Sequence, residues 1–197
     1  MCYAFRMNVL MRKPMTLEQF LAWEERQELR YEFDGFQPIA MTGGTAAHAA
    51  IQRNLITALA TRLRGKPCQP YGSELKILVD GRIRYPDAFV VCTPVPPRAT
   101  VVADPVVVFE ILSDSSTHTD LFVKNAEYRA CPSVQRYVVL EQTQRGAMVF
   151  ARKGEDWVNE ALAGEAAVLA LPEVGIEIPL AELYADVQMD EAEAAES

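Results

Sequence analysis

Apolar residues recur along the chain with two periods, and these divide it into short helices and strands. Leu17, Phe20 and Leu21 fall at helical spacing behind Thr16, and Thr16-Leu17-Glu18-Gln19 has the form of a capping box. A first helix is therefore expected over 17–28. Residues 30–33 and 36–41 flank Asp34-Gly35, a hairpin turn signal. After a small-residue loop over 42–45, Ile51, Leu55, Leu59 and Leu63 step by four along a helix expected over 46–64, stopped by Gly65 and Pro67. Residues 74–79 alternate like a half-buried strand, Asp80-Gly81 turns the chain, and one continuous strand is expected over 82–92. The run 106–112 is almost wholly apolar, as a central strand covered on both faces requires. A polar loop over 113–119 and a helix over 120–129 follow. Strands are expected over 136–141, 147–152 and 157–162, and a short helix over 180–184. Helix, hairpin, helix and then strands interrupted by one helix predict a mixed α/β sandwich.

The length of 197 residues suits one domain, expected over 15–187, with an N-terminal extension over 1–14 and an acidic tail over 188–197. No apolar run reaches the ~20 residues that span a bilayer, and 1–13 lacks the compact apolar core of a signal peptide. Cys2, Cys68, Cys92 and Cys131 show no paired spacing, which argues against a zinc ribbon and against a disulfide framework. A reducing cytoplasm is the expected location. The net charge of −8 lacks the basic excess of a non-specific DNA binder. It leaves room for a nuclease, because the carboxylates of a metal site add negative charge that bound cations offset.

Three positions carry the candidate chemistry. Glu110 sits within Val106 to Leu112, where a carboxylate is paired, protonated or bound to metal; a buried ion pair with an arginine is the alternative. Asp87 follows Pro86, and proline within a strand marks an edge, an end or a bulge. Taken alone, Asp87 reads more readily as an ordinary turn or strand-end residue. Together, two carboxylates at the ends of adjacent strands can share a hard divalent cation. Leu112 lies on the strand face of Glu110 and cannot supply a cation beside it, so Lys124 is the candidate. Asp120, Lys124 and Tyr128 share one helix face; an exposed Asp-Lys pair over a packed tyrosine is the plainer reading. Glu32 alternates with Tyr31 and Phe33 and is expected to point outward. His48 opens the long helix, where it either faces a phosphate or simply follows the cap.

In order and spacing these residues resemble a known family. Tyr31-Glu32-x-x-Gly35, His48, Pro86-Asp87, Glu110-Ile-Leu-Ser113, Asp120-x-x-x-Lys124-x-x-x-Tyr128 and Tyr137-Val-Val-Leu are similar to the Uma-type restriction-endonuclease-like proteins of the PD-(D/E)xK nuclease superfamily. The resemblance implies an α/β (α+β) fold: a restriction-endonuclease-like central mixed β-sheet flanked by helices. It implies a Mg²⁺- or Mn²⁺-dependent endonuclease that hydrolyses DNA phosphodiester bonds as a homodimer. Asp87, Glu110 and Lys124 would be catalytic, Asp87, Glu110 and Glu32 would hold metal, and His48, Asp120 and Tyr128 would support them. The chain departs from the pattern at Cys131 to Val138, where a Gly-Val and Glu-Tyr-Trp run is common. A catalytically silent nuclease-fold protein acting as a dimeric binding or regulatory module is the first alternative. A small-molecule hydrolase is the second, distinguished by an enclosed pocket in place of an open groove rimmed by Arg53, Arg82 or Arg84.

Overall fold

The computed structural model describes residues 14–41, 43–113 and 117–188. The expected N-terminal extension and acidic tail lie almost entirely outside them. Helix α1 spans Leu17–Glu24, with the capping box formed: Thr16 Oγ1 accepts from the Gln19 backbone N–H and Gln19 Oε1 from that of Thr16. It ends short of 28 because Phe20 and Glu24 are its inward positions and the charged run beyond offers nothing apolar to bury. The hairpin is β1 (Tyr31–Phe33) and β2 (Pro38–Ala40), and α2 runs Ala46–Leu63 behind the cap of Thr45. Then come β3 (Gln69–Gly72), β4 (Lys76–Val79), β5 (Arg82–Arg84), β6 (Ala88–Val91), β7 (Val101–Val102) and β8 (Pro105–Ile111). A π-helical stretch, Thr119–Lys124, leads directly into α3 (Asn125–Ala130). The chain continues through β9 (Arg136–Leu140), β10 (Gly146–Lys153), β11 (Asp156–Ala163), β12 (Val168–Leu171), β13 (Ile176–Pro179) and α4 (Leu180–Leu183).

These elements form an α+β architecture of mixed sheets flanked by helices. The central sheet has the order β11-β10-β9-β8-β6-β3, with β8 and β9 parallel and the other neighbours antiparallel. A second sheet has the order β2-β1-β5-β4-β7, and β12 pairs with β13 alone. Ile51, Leu55 and Leu59 of α2 and Leu180 and Leu183 of α4 pack with Val90, Val107 and Phe109 on one side of the central sheet. Tyr128 of α3 and Ile77 and Val79 of the second sheet pack with Phe89, Val108 and Val139 on the other.

The strand expected over 82–92 is broken. Tyr85-Pro86-Asp87 separates β5, in the second sheet, from β6, in the central one. Pro86 brings no N–H to a ladder, so pairing cannot run through it, and the chain changes sheet there. Strands β3, β7, β12 and β13 are not anticipated by the sequence pattern. Gln-Pro-Tyr-Gly in β3 has no apolar alternation, and alanine at an exposed position of β12 makes Val-Leu-Ala-Leu read as unbroken apolar sequence.

Cys68 and Cys92 form a disulfide, contrary to the expectation from cysteine spacing. The antiparallel register Gln69↔Val91, continued by one step, sets Cys68 opposite Cys92. The pair is made by sheet registry, which spacing along the chain does not display. The cysteines therefore give no argument for a reducing compartment. Among the described residues no helix is long and apolar enough to cross a membrane.

Two outcomes follow from this packing. Leu55, with no exposed surface, should cost about 2–5 kcal/mol of unfolding free energy when changed to alanine, measured by urea denaturation. Non-reducing peptide mapping after rapid alkylation should recover the Cys68 and Cys92 peptides joined; two separately alkylated peptides would contradict the linkage.

Candidate active site

The break at Tyr85-Pro86-Asp87 opens one end of the central sheet into a cleft of about 320 Å³ lined by Glu32, His48, Asp87, Glu110, Asp120 and Lys124, among others. The antiparallel register Ala88↔Phe109, carried one step further, places Asp87 opposite Glu110. Opposed residues of a ladder project to one face, so the two carboxylates come from adjacent strands on the same side. Asp87 is fixed at Oδ2, which accepts from the Ile111 backbone N–H at 2.8 Å and lies 3.2 Å from His48 Nε2. Its backbone carbonyl accepts from Gln52 Nε2 at 2.9 Å. His48 and Gln52 stand one turn apart on α2, and Gly44 leaves room for the imidazole: a Cβ there would lie 3.0 Å from the ring.

Glu110 is 4% exposed, and its Oε1 accepts from Lys124 Nζ at 2.9 Å and from the Tyr128 hydroxyl at 3.0 Å. The alternative of an arginine partner does not hold; the cation is Lys124. Burial pushes the Glu110 carboxyl well above its ordinary pKa, Lys124 opposes this, and Asp120, Asp87 and Glu32 add to it. Burial also works against the Lys124 ammonium, but Glu110, Glu32 and Asp120 outweigh it and raise its pKa. Lys124 Nζ lies 3.4 Å from Glu32 Oε1 and 3.2 Å from Asp120 Oδ1, the latter without hydrogen-bond alignment. On this π-helical stretch Asp120 and Lys124, four residues apart, turn inward and are buried, while Phe122 and Val123 face solvent. The plainer sequence reading, an exposed Asp-Lys pair, is therefore overturned.

Glu32 is buried, not outward-facing as the hairpin alternation predicts. Its Oε1 accepts from the Tyr85 backbone N–H at 3.1 Å and its Oε2 from Arg84 Nη1 at 3.0 Å. Burial raises its pKa, but Lys124, Arg84 and the Tyr85 N–H prevail and hold the carboxyl below the usual range. The side chain of Arg84 is 2% exposed, and its Nε and Nη2 grip the two oxygens of Glu127 at 2.7 Å each. Arg84 is thus no rim residue, and none of Arg53, Arg82 and Arg84 lines the cleft. On the flank, Tyr85 donates its hydroxyl to Glu24, which also pairs with Lys76.

Sequence reasoning missed Arg84, Glu127 and Gln52. A cation within the strand pattern at Arg84 was a signal for the first, and one helical turn beyond His48 was a signal for Gln52. Nothing local distinguished Glu127 from a solvated helix residue.

The model of the Uma2 family, described as "Putative restriction endonuclease", matches residues 17–181. The uncharacterized protein slr1290 of Synechocystis sp. is 32% identical over 148 residues, 73% of this chain and 78% of that protein. A second uncharacterized Synechocystis protein, sll1609, is 25% identical over 81% of this chain and 93% of its own length. The crystal structure of "a putative nuclease belonging to DUF820" from Anabaena variabilis superposes with a TM-score of 0.73 at 18% identity, covering 87% of this chain and 98% of that one, so the fold is shared. With its order of motifs, its restriction-endonuclease-like fold and a family match across most of its length, the chain belongs to the Uma2 family of restriction-endonuclease-like proteins.

Proposed function

We propose that the protein is a divalent-metal-dependent endodeoxyribonuclease, with Asp87, Glu110 and Lys124 as its catalytic residues. The observation that carries this reading is the meeting of two strand-end carboxylates with a buried lysine in one surface cleft. The donor set fits Mg²⁺ or Mn²⁺. It consists of hard carboxylate oxygens, and the described lining carries Glu32, Asp87, Glu110 and Asp120 against Lys124 as its one lysine or arginine. Among the described residues no group of three or more acids, histidines or cysteines forms a ready cage. Mg²⁺ commonly needs none, because it keeps several waters and binds through one or two carboxylates. Asp87 and Glu110 would hold it. Glu32, whose oxygens already serve Arg84, Tyr85 and Lys124, tunes the site from behind.

A bound ion supplies an activated water and offsets phosphate charge. The protein's part is position and charge. The Ile111 N–H and His48 hold Asp87 in one orientation. Lys124, kept charged by three acids, offsets charge that builds on the phosphoryl oxygens during hydrolysis. DNA is the substrate in this reading, and a homodimer would set one cleft against each strand of a duplex.

Two experiments test the assignment. Millimolar Mg²⁺ or Mn²⁺ should raise the melting temperature of the wild type, since a ligand that binds only the folded state stabilises it. Asp87→Ala should abolish that rise, and an unchanged wild-type melt would remove the metal site. On supercoiled and single-stranded DNA, Lys124→Ala should retain the metal-induced shift yet cleave about 10²-fold more slowly or worse. Asp87→Ala should not cleave. Equal inertness of wild type and both variants would favour the non-enzymatic binding module.

A further inference from the structure

Arg84 touches no solvent-facing wall of the cleft, yet it joins the parts that make it. It lies on β5, in the second sheet. One edge of its guanidinium grips both oxygens of Glu127 on α3, three residues beyond Lys124 on the same continuous helical segment. The remaining nitrogen, Nη1, holds Glu32 on β1, and Glu32 presents its other oxygen toward Lys124. The described contacts therefore close a loop: Arg84, Glu127, the helix backbone, Lys124, Glu32 and back to Arg84. Arg82 adds a second contact to Glu127 at 3.2 Å.

The geometry points to Arg84 as a positioning residue that fixes Lys124 beside Glu110, clamping the helix that carries the lysine through Glu127 and the carboxylate that orients it through Glu32. This rests on the nuclease reading for its catalytic consequence, but not for its geometry. A planar fork is what the arrangement uses. Lysine at the same place keeps the charge and cannot hold two carboxylates with fixed angles. Lys124 lies on a six-residue π-helical turn, so its ammonium depends on contacts at its tip and on the anchoring of the next turn. Displacement by an ångström is enough to cost on the order of 10²-fold in rate.

The test reads both position and rate. Of the four described lysines, Lys76 and Lys124 are buried, so ¹⁵Nζ-labelled lysine should show a slowly exchanging ammonium signal for each, and Lys124→Arg should delete one. In Arg84→Lys, whose new amine is assigned by difference, the Lys124 signal should shift or broaden while the Lys76 signal stays. An unchanged Lys124 signal, or none in the wild type, overturns the proposal. Glu127→Gln, which keeps the shape and weakens the grip, should reproduce the effect and replaces Arg84→Lys should that variant not fold. In cleavage assays Arg84→Lys should lower kcat on the order of 10²-fold with KM and the Mn²⁺-induced melting shift preserved. Combined with Lys124→Ala, it should lower kcat no further, because the two act as one unit. A multiplicative loss would mean that Arg84 acts independently of the lysine. Failure of the wild type to cleave at all would end the nuclease reading, and the ammonium signals alone would then decide the role of Arg84.

Discussion

A group of carboxylates taken out of water must be answered by cations or protons, and this requirement organises the structure around the cleft. Glu32, Glu110, Asp120 and Glu127 are all buried, and Arg84 and Lys124 are buried among them. Each cation answers more than one acid, Arg84 by its fork and Lys124 by its three donors. Breaking a buried pair by removing one partner costs about 3–5 kcal/mol, because the other charge is left uncompensated. The two cations therefore constrain where β1, β5, β8 and the helical segment 119–130 can sit relative to one another. Apolar packing brings the sheets and helices together, and the ion pairs select the arrangement in which the acids meet their partners.

The same constraint explains the change of sheet at Tyr85-Pro86-Asp87. Arg84 points into the cluster from the end of the second sheet, and three residues later Asp87 stands at the start of the central one. Pro86 ends pairing between them, so one short segment delivers a cation behind the cleft and a carboxylate within it. Tyr85 is held on both sides, its N–H on Glu32 and its hydroxyl on Glu24. These bonds locate the break by contacts to β1 and α1, elements distant in sequence. A continuous strand over 82–92 would have left Asp87 inside a ladder and Arg84 in the wrong sheet.

What was legible in the sequence follows from the range of each interaction. The capping box at Thr16, the α2 stripe of Ile51, Leu55 and Leu59, and the all-apolar central strand are local patterns, and the structure contains them. Asp87 and Glu110 stand out because a charge within an apolar run needs an explanation, Lys124 because Leu112 cannot supply a cation beside Glu110, and the three do share one cleft. The misreadings all concern partners far away in the chain. Alternation with Tyr31 and Phe33 predicts an outward Glu32, because its partner Arg84 lies on the neighbouring strand β5, which local alternation does not display. Asp120 and Lys124 match an exposed pair by spacing alone, and that their helix face is buried is visible only once Glu110 lies beneath it. The disulfide between Cys68 and Cys92 depends on the register of β3 against β6, and β3 carries no strand pattern of its own.

The charge balance of the cleft bears on how it recognises a polyanion. Its described lining is acidic, with Lys124 as the one lysine or arginine, and Arg84 is turned inward onto Glu32 and Glu127. A phosphodiester approaching this surface alone meets repulsion, which a basic groove would not impose. A divalent cation bound by two of these acids would neutralise them and lessen that repulsion without any change in the protein's outer surface. In the proposed reaction, occupation by metal would therefore also weaken the cleft's repulsion of its substrate. Specific contacts to DNA would, in that reaction, come from elsewhere on the surface or from a second subunit, and the cleft itself would supply chemistry in place of affinity.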